Sequence, residues 1–559
     1  MRHRPESWAW ALGLIALCAF LLRLYAINFG LPGLYDPDEL MFELGAIRML
    51  SHATLNPGWF GHPATTTMYG LALVNVSVFG VGHLAGWYPT LKSFGEAVYS
   101  NPGVIVLPGR VLMALFGAGT VWQTGKLAQE LFDRRAGLVA AALVAVSPVC
   151  VAWSQVVRSD IMGSFFVLLA LRAMLRVERR PDWRTDVAAA GWMGAAIATK
   201  WPMGLAAIGM GTMVLRAAWP DLRTGAPILR LARFGAMMIG FTLLISPYLL
   251  LAHDVVASNL HGEAQLHHLG ATGGTPLQNL VWYLRGPFVD GLSALGLALA
   301  GGGVILALRG ADRRAAWLLG PVMLGMGVVI CFQHMVWERW ALPLLPFLAI
   351  LAARALTGLS RQLRDRLGGW QGESSMGLML VAVLLPLLWQ DLAQARARMH
   401  DTRAQASAWA VAHVPQNSTI MIEHFGFDLY RQPWPVLFPL GDAGCVDIRA
   451  LLQGKVSWSV IDAVRGSRAN IDYGTMGVAR AASCQVDYAI ITQFDRYAAE
   501  KNSFPAEYEA YKQMLARGTQ VASFYPQAGV SAGPVVRIVR FPRPVRRRGG
   551  RDDGDLSPG

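Results

Sequence analysis

The sequence predicts a polytopic α-helical membrane protein with about eleven transmembrane helices, a long first outside loop and a small C-terminal α/β outer domain. Three observations carry this prediction. The 559 residues are 54% hydrophobic and 15% charged, with a mean hydropathy of +0.37, whereas a soluble domain carries roughly a quarter charged residues. The apolar residues gather in separated runs of roughly 20, the length that crosses a bilayer. Beyond Trp389 that pattern gives way to ordinary polar spacing. The formal charge of +13 would suggest nucleic acid in a soluble chain. No zinc-finger, helix-turn-helix or RNA-recognition signature accompanies it, and membrane proteins collect basic residues in cytoplasmic loops.

The first apolar run, 8–27, follows Arg2 and Arg4 and has no small-residue cleavage site behind it. It reads as a retained signal-anchor with a cytoplasmic N-terminus. Further spans are expected over 104–124, 136–153, 161–175, 187–199, 202–218, 234–251, 292–308, 316–332, 341–356 and 376–389. The apolar stretch 65–87 is decided by charge. If it does not cross, the inside loops hold Lys126, Arg134 and Arg135, then Arg172 to Arg184, Arg216 to Arg233, Arg309 to Arg314, and Arg354 to Arg366. If it does cross, every later loop inverts against the positive-inside rule. It is therefore expected as a re-entrant or interfacial helix in the first outside loop, 29–103. About eleven crossings then place the C-terminus outside. The expected modules are a transmembrane one over 1–392, an extracytoplasmic α/β domain over 393–543 and a basic disordered tail over 544–559. The α/β domain shows a helix-like stretch at 403–413 and strand-like runs at 418–422, 486–492 and 534–541.

Of five cysteines, Cys18, Cys150 and Cys331 lie in apolar spans and read as packing residues. Cys445 and Cys484 are the two in the outer domain, where an oxidising compartment would allow them to pair. No metal-ligand spacing is present.

The first outside loop opens with Tyr35-Asp36-Pro37-Asp38-Glu39-Leu40. Asp36 suits an N-cap, Pro37 the first helical position and Glu39 the return partner of a capping box. Leu40, Leu44, Ile47 and Leu50 then make an apolar stripe for a helix on the membrane surface. Capping leaves Asp38 without a structural task. A carboxylate on the first turn is favoured in its ionised form by the helix dipole, as a general base requires. Further landmarks are His62-Pro63, Arg110 at the outer start of a span, Arg158-Ser-Asp160, Lys200 in an outside turn, His267-His268 in a later loop, and Arg339 in Trp337-Glu338-Arg339-Trp340. Each basic residue alone suits a snorkelling anchor. Several at one depth, on the side depleted of positive charge, point to an anion site. Trp201, Trp337 and Trp340 suit the interfacial belt.

The order Asp38-Glu39, His62-Pro63, Arg110, an Ala-rich span ending Ser147-Pro148, Arg158-Ser-Asp160, Thr199-Lys200, Ser246-Pro247-Tyr248, and Arg339 before Leu342-Pro343 resembles the GT-C membrane glycosyltransferases. The nearest branch is the one containing protein O-mannosyltransferases and the aminoarabinose transferase of lipid A modification. The likeness runs from Met1 to about Leu392. It implies a GT-C-like fold and inverting transfer of one sugar from a polyprenyl-phosphate carrier to an extracytoplasmic acceptor: protein, lipid A or an envelope glycan. It further implies Asp38 as base with Glu39 beside it, Asp160 as the second acidic position, and Arg110, Lys200 and Arg339, with Arg158 nearby, at the carrier phosphate. His62, His267 and His268 are candidates for the surrounding loops. Pro63 is followed by Ala64 where the family often has a second proline, which assigns His62-Pro63 to shaping the loop.

Physical reasoning reaches the same arrangement. A phosphate ester leaves readily, so cations that stabilise the departing charge matter more than a general acid. One base suffices for inversion. The implied partners are the lipid-linked donor, the acceptor and membrane lipids, with no nucleic acid. A divalent cation stays open as a cofactor, although the few carboxylates, Asp38, Glu39 and Asp160, argue against a tightly held ion. The alternatives are a multi-span lipid or solute transporter or flippase, which would place charges at mid-membrane depth, and a non-catalytic subunit of envelope polysaccharide assembly. The setting implied is a multi-pass protein of the cell (inner or plasma) membrane.

Overall fold

The computed structural model describes residues 5–179, 182–217, 225–264, 266–310, 312–367, 369–423, 426–429, 432–452 and 472–542. Arg180 and Arg223 of the inside loops and the basic tail lie outside them. Two compact units form: one takes the chain up to Asp401 with Pro526–Gly533, the other Thr402–Tyr525 with the chain from Pro534.

The first unit is helical throughout. Helix α1 (Pro5–Leu24) leads into the first loop, which holds α2 (Pro37–Ser51), α3 (Thr65–Leu84) and α4 (Leu91–Ser100). The bundle continues through α5 (Gly103–Leu131), α6 (Arg134–Ala145), the short α7 (Pro148–Ala152), α8 (Ser159–Arg179), α9 (Trp183–Thr199), α10 (Ala207–Ala217) and α11 (Ala226–Ile245). After α12 (Tyr248–Leu251), α13 (His253–Glu263) and α14 (Pro276–Arg285) come α15 (Pro287–Leu308), α16 (Arg313–Phe332), α17 (Leu345–Leu367) and α18 (Gly369–Met399). Among the described residues seven stretches are long and apolar enough to cross a membrane, beginning in α1, α3, α5, α11, α15, α16 and α18. The other passes are shorter or carry charge, as spans packed inside a bundle can. Several boundaries shift: the span expected at 234–251 runs over Ala226–Ile245, because Ser246-Pro247 ends the helix, that at 136–153 breaks after Ala145, and those at 341–356 and 376–389 lie within the longer Leu345–Leu367 and Gly369–Met399.

Helix α3 is held at its start by α9 and near its end by α4. The Ala64 N–H donates to the Thr199 carbonyl at 3.1 Å where α9 stops. At its other end Phe79 packs on Phe94 of α4, 5.6 Å between rings, just before α5 starts. Asp36 caps α2 through the Asp38 N–H at 3.0 Å. Glu39 does not complete a capping box; its carboxylate turns instead to Arg110. The Leu44 and Leu50 side faces outward, while Phe42, Ala46 and Met49 are buried.

Helices α5 and α6 approach so closely that a Cβ on Gly137 would stand 2.7 Å from the Gly125 carbonyl oxygen. Ser147-Pro148 breaks the next pass and frees carbonyls. The fully buried Arg23 of α1 takes those of Val144 and Ala145, at 3.2 and 3.0 Å, so the break leaves few backbone groups unmet. At the opposite end of the bundle carboxylates tie passes together: Glu130 to Arg172, Glu178 to Arg216 and Arg314, Asp186 to Arg230 and Arg233, Asp312 to Arg354 and Asp133 to Arg361. Several loop arginines thus also tie one pass to the next.

The second unit opens with α19 (Thr402–His413) and builds a six-stranded mixed sheet in the order β3-β2-β1-β4-β6-β5. The strands are β1 (Ile420–Ile422), β2 (Val436–Pro439), β3 (Cys445–Asp447), β4 (Tyr488–Ile491), β5 (Thr519–Phe524) and β6 (Val536–Arg540). Strands β1, β4 and β6 fall on the expected runs, and β2, β3 and β5 add to them. Ala406 and Ala410 of α19 cover Ile420, Ile490 and Ile538 in one core. Cys445 and Cys484 are joined by a disulfide with their Cα atoms 5.1 Å apart.

Candidate active site

Several helix-end segments of the first unit bring charged side chains to one place. The turn before α2 supplies Asp36 and Asp38, and the turn before α8 supplies Arg158. The guanidinium of Arg158 donates to both oxygens of Asp36, at 3.0 and 2.9 Å. Its remaining nitrogen lies 2.7 Å from Asp38 Oδ2. Burial pushes the Asp36 carboxyl up, but Arg158 outweighs it and holds Asp36 below the usual carboxylate range. Asp38 keeps 38% of its side chain exposed, against 17% for Asp36 and 7% for Arg158.

Two residues on, Asp160 receives the Lys200 ammonium at 2.5 Å. Lys200 is held where α9 ends, and Pro63 pairs with it as a backbone bridge, which brings His62 alongside. Burial depresses Lys200, and Asp160 opposes that. Burial, then Lys200, pushes His62 well below its ordinary range, so its ring is neutral. Arg339, in the short helix Glu338–Ala341, stacks 4.1 Å over Trp337 and 6.0 Å from Trp153. Three buried polar atoms here lack a hydrogen-bond partner: Asp160 Oδ2, Arg339 Nε and His62 Nδ1. Asp160 and Arg339 each act on the charge of His62, so the unmet atoms belong to one cluster.

The remaining candidates separate from it. Glu39 and Arg110 are fully buried against each other, at 2.8 and 2.6 Å. Arg110 also donates to the carbonyls of Ile27 and Phe29, both at 2.7 Å, and Glu39 accepts the Val157 N–H at 2.9 Å. Neither has a face left for a substrate, so the expectation of Arg110 at a phosphate and Glu39 at the reaction centre gives way to a structural pair. Its donors are already engaged, which their spacing in sequence could not reveal. Arg158 is in the site but committed to two carboxylates. His268 packs on Trp337 at 4.9 Å, whereas His267 is exposed. Trp337 therefore lines the cluster, and Trp201 donates to the Phe60 carbonyl at 3.2 Å; both have tasks beyond an interfacial belt. Asp36 and Glu263, 3.9 Å from His62, were not anticipated. Asp36 read as a cap only, and Glu263 is remote in sequence. Among the described residues no three His, Cys, Asp or Glu side chains assemble as a metal-ligand set.

Residues 94–250 match the sequence family described as dolichyl-phosphate-mannose-protein mannosyltransferase. That segment contains Arg158, Asp160 and Lys200. Among solved structures, the Archaeoglobus fulgidus oligosaccharyltransferase tethered to an acceptor peptide is similar over 94% of this chain and 73% of its own, at 12% identity and a TM-score of 0.50. ArnT from Cupriavidus metallidurans bound to undecaprenyl phosphate is similar over 96% of this chain and 98% of its own, at 14% identity and a TM-score of 0.48. No curated protein matches the chain. The likeness to the oligosaccharyltransferase is one of fold.

Proposed function

From the premise that the chain has the GT-C membrane fold, we propose that it is an inverting glycosyltransferase. It moves a single sugar from a polyprenyl-phosphate carrier to an acceptor outside the membrane, with its N-terminus cytoplasmic and its α/β domain extracytoplasmic. The family match over 94–250 supports a lipid-phosphate-linked donor. The observation that carries the reading is the meeting of Asp38, Asp160, Lys200 and Arg339 beside His62, with Asp160 Oδ2, Arg339 Nε and His62 Nδ1 orphaned among them. A buried group left without a partner costs roughly 1–3 kcal/mol, which a bound phosphate and sugar would recover.

In this reading the acceptor hydroxyl attacks the anomeric carbon, its proton passes to Asp38, and the bond to the phosphate oxygen breaks with its electron pair. Arg158 holds one oxygen of Asp38 in place. Lys200 and Arg339 stabilise the charge that grows on the leaving phosphate, in a site where burial strengthens each interaction. Asp160 fixes the Lys200 ammonium. Glu39 and Arg110 hold α2 against α5 and so set where Asp38 stands.

The test is turnover by purified protein in proteoliposomes supplied with undecaprenyl-phosphate sugars. Release of undecaprenyl phosphate with at least one of them is expected. No release from any sugar, with any protein, lipid A or glycan acceptor, would contradict it.

A further inference from the structure

Helix α13 forms a wall of the cluster that the reaction just described does not use. Asn259 accepts the Phe60 N–H at 2.8 Å and so fastens this helix to the segment before His62. One turn further on, Glu263 Oε2 lies 3.9 Å from His62 Nε2. Gly61 lies between Trp59 and Glu263: a Cβ there would run into the Trp59 ring and stand 2.9 Å from Glu263 Oε1, so the bare backbone leaves room for both side chains. Trp59 packs edge-on against His62 at 5.2 Å and steadies its ring. The charges that act on Glu263 are Asp38, Arg339 and Lys200, which are the groups assigned to the proton and the phosphate. Its side chain is 48% exposed, and His62 Nδ1 is buried without a partner.

A carboxyl group in that position cannot serve the phosphate, which it would repel. It suits the uncharged, hydroxyl-rich part of the donor. Burial, then Asp38, raises the Glu263 carboxyl above its ordinary range, and its two oxygens can accept hydrogen bonds from sugar hydroxyls. A site group that bonds a substrate hydroxyl rejects an analogue that lacks it far better than an apolar wall does.

We propose that Glu263 is the sugar-reading residue of the donor site, hydrogen-bonding hydroxyls of the transferred sugar, with His62 as the positioning residue that orients it. The inference rests on the donor-site reading above.

The test compares equilibrium binding of undecaprenyl phosphate with that of its mannose, glucose, galactose and N-acetylglucosamine esters, using the full chain in nanodiscs. Glu263→Ala weakens the preferred ester by about tenfold or more, the scale of one lost hydrogen bond to a charged group. It leaves sugar-free undecaprenyl phosphate within about twofold of wild type and narrows the spread among the esters. Glu263→Gln, which keeps the shape and part of the hydrogen bonding, lies between. His62→Asn shifts the same difference in the same direction. Equal affinities of wild type and Glu263→Ala for every ester overturn the proposal, as does a loss that falls equally on the sugar-free carrier. If wild type prefers no ester over the bare carrier, the donor-site reading itself fails.

Discussion

Glu39 grips Arg110 with both carboxylate oxygens, at 2.8 and 2.6 Å, and neither side chain reaches solvent. The neighbouring Asp38 is partly open and bound to Arg158 instead. Two adjacent acidic residues thus stand in different settings, Glu39 in a sealed ion pair and Asp38, the proposed base, on the open side. Breaking a buried pair by deleting one partner costs about 3–5 kcal/mol. Glu39→Ala and Arg110→Ala are expected to lower the thermal midpoint in detergent sharply and to reduce folded yield. Asp38→Asn is expected to leave the midpoint near wild type, and equal losses in all three variants would contradict this division.

Arg339 is the site's cation with an unmet nitrogen and an aromatic stack in place of a carboxylate partner. Arg339→Gln removes the charge while the neighbouring ion pairs stay intact. Its expected effect is a loss of about tenfold or more in affinity for undecaprenyl phosphate, in line with about 1.5–3 kcal/mol for a charge-assisted hydrogen bond. Unchanged binding would remove Arg339 from the phosphate site.

Glu43 of α2 is buried beside Asn75, whose amide donates to it at 2.9 Å, and its other oxygen has no partner. Burial pushes its carboxyl up to about 8 from an ordinary 4.5. The folded protein thus favours the neutral form. The contribution to stability is full below about pH 4.5, declines as pH rises, and is gone above about 8. Glu43→Gln keeps the neutral shape and is expected to flatten this part of the pH profile, with a higher midpoint than wild type at pH 9. Parallel profiles would show that Glu43 is ionised in the folded state.

The α/β unit buries a second acidic cluster. Glu423 accepts from Tyr511 and from the Thr492 N–H at 2.7 Å, and Asp472 accepts from Tyr497 at 2.8 Å. Burial raises Glu423 to about 7, helped by Asp472, and Asp472 to about 6. Both shifts are upward, so stability from these groups is lost as pH climbs from the usual carboxylate range through about 6 and 7. Hydrogen exchange within β1 and β4 is expected to be slower at pH 5 than at pH 8, after correction for intrinsic rates. Glu423→Gln should shrink the difference; a pH-independent protection would contradict the cluster's role.

Much of the membrane unit was legible because a hydrocarbon solvent writes itself into composition. Apolar runs marked the passes, and loop arginines decided that 65–87 should stay on the outer side. The helix that forms there, Thr65–Leu84, is itself long and apolar enough to cross, so its assignment to one side rests on loop charge alone. Asp38, Arg158, Asp160 and Lys200 were legible as polar residues at the ends of apolar runs, where anchors and sites alike occur. What the sequence could not show is which charges satisfy one another. Arg110 looked available, but Glu39 and the carbonyls of Ile27 and Phe29 accept from all three of its nitrogens. Glu263 was hidden for a related reason, because only the docking of α13 through Asn259 brings it to His62. Strand β5 escaped notice as an edge strand whose first residues are exposed, leaving no buried alternation to read.

The central claim is that Asp38 takes the acceptor's proton as the sugar leaves its lipid phosphate. The decisive measurement is single-turnover release of undecaprenyl phosphate from bound undecaprenyl-phosphate sugar on addition of the acceptor, wild type against Asp38→Asn, with donor binding measured on the same samples. The expected result is a fall of about 10²–10⁴ in the rate constant, the range for loss of a general base, with donor affinity little changed. A wild-type rate in Asp38→Asn, with donor fully bound, would contradict it.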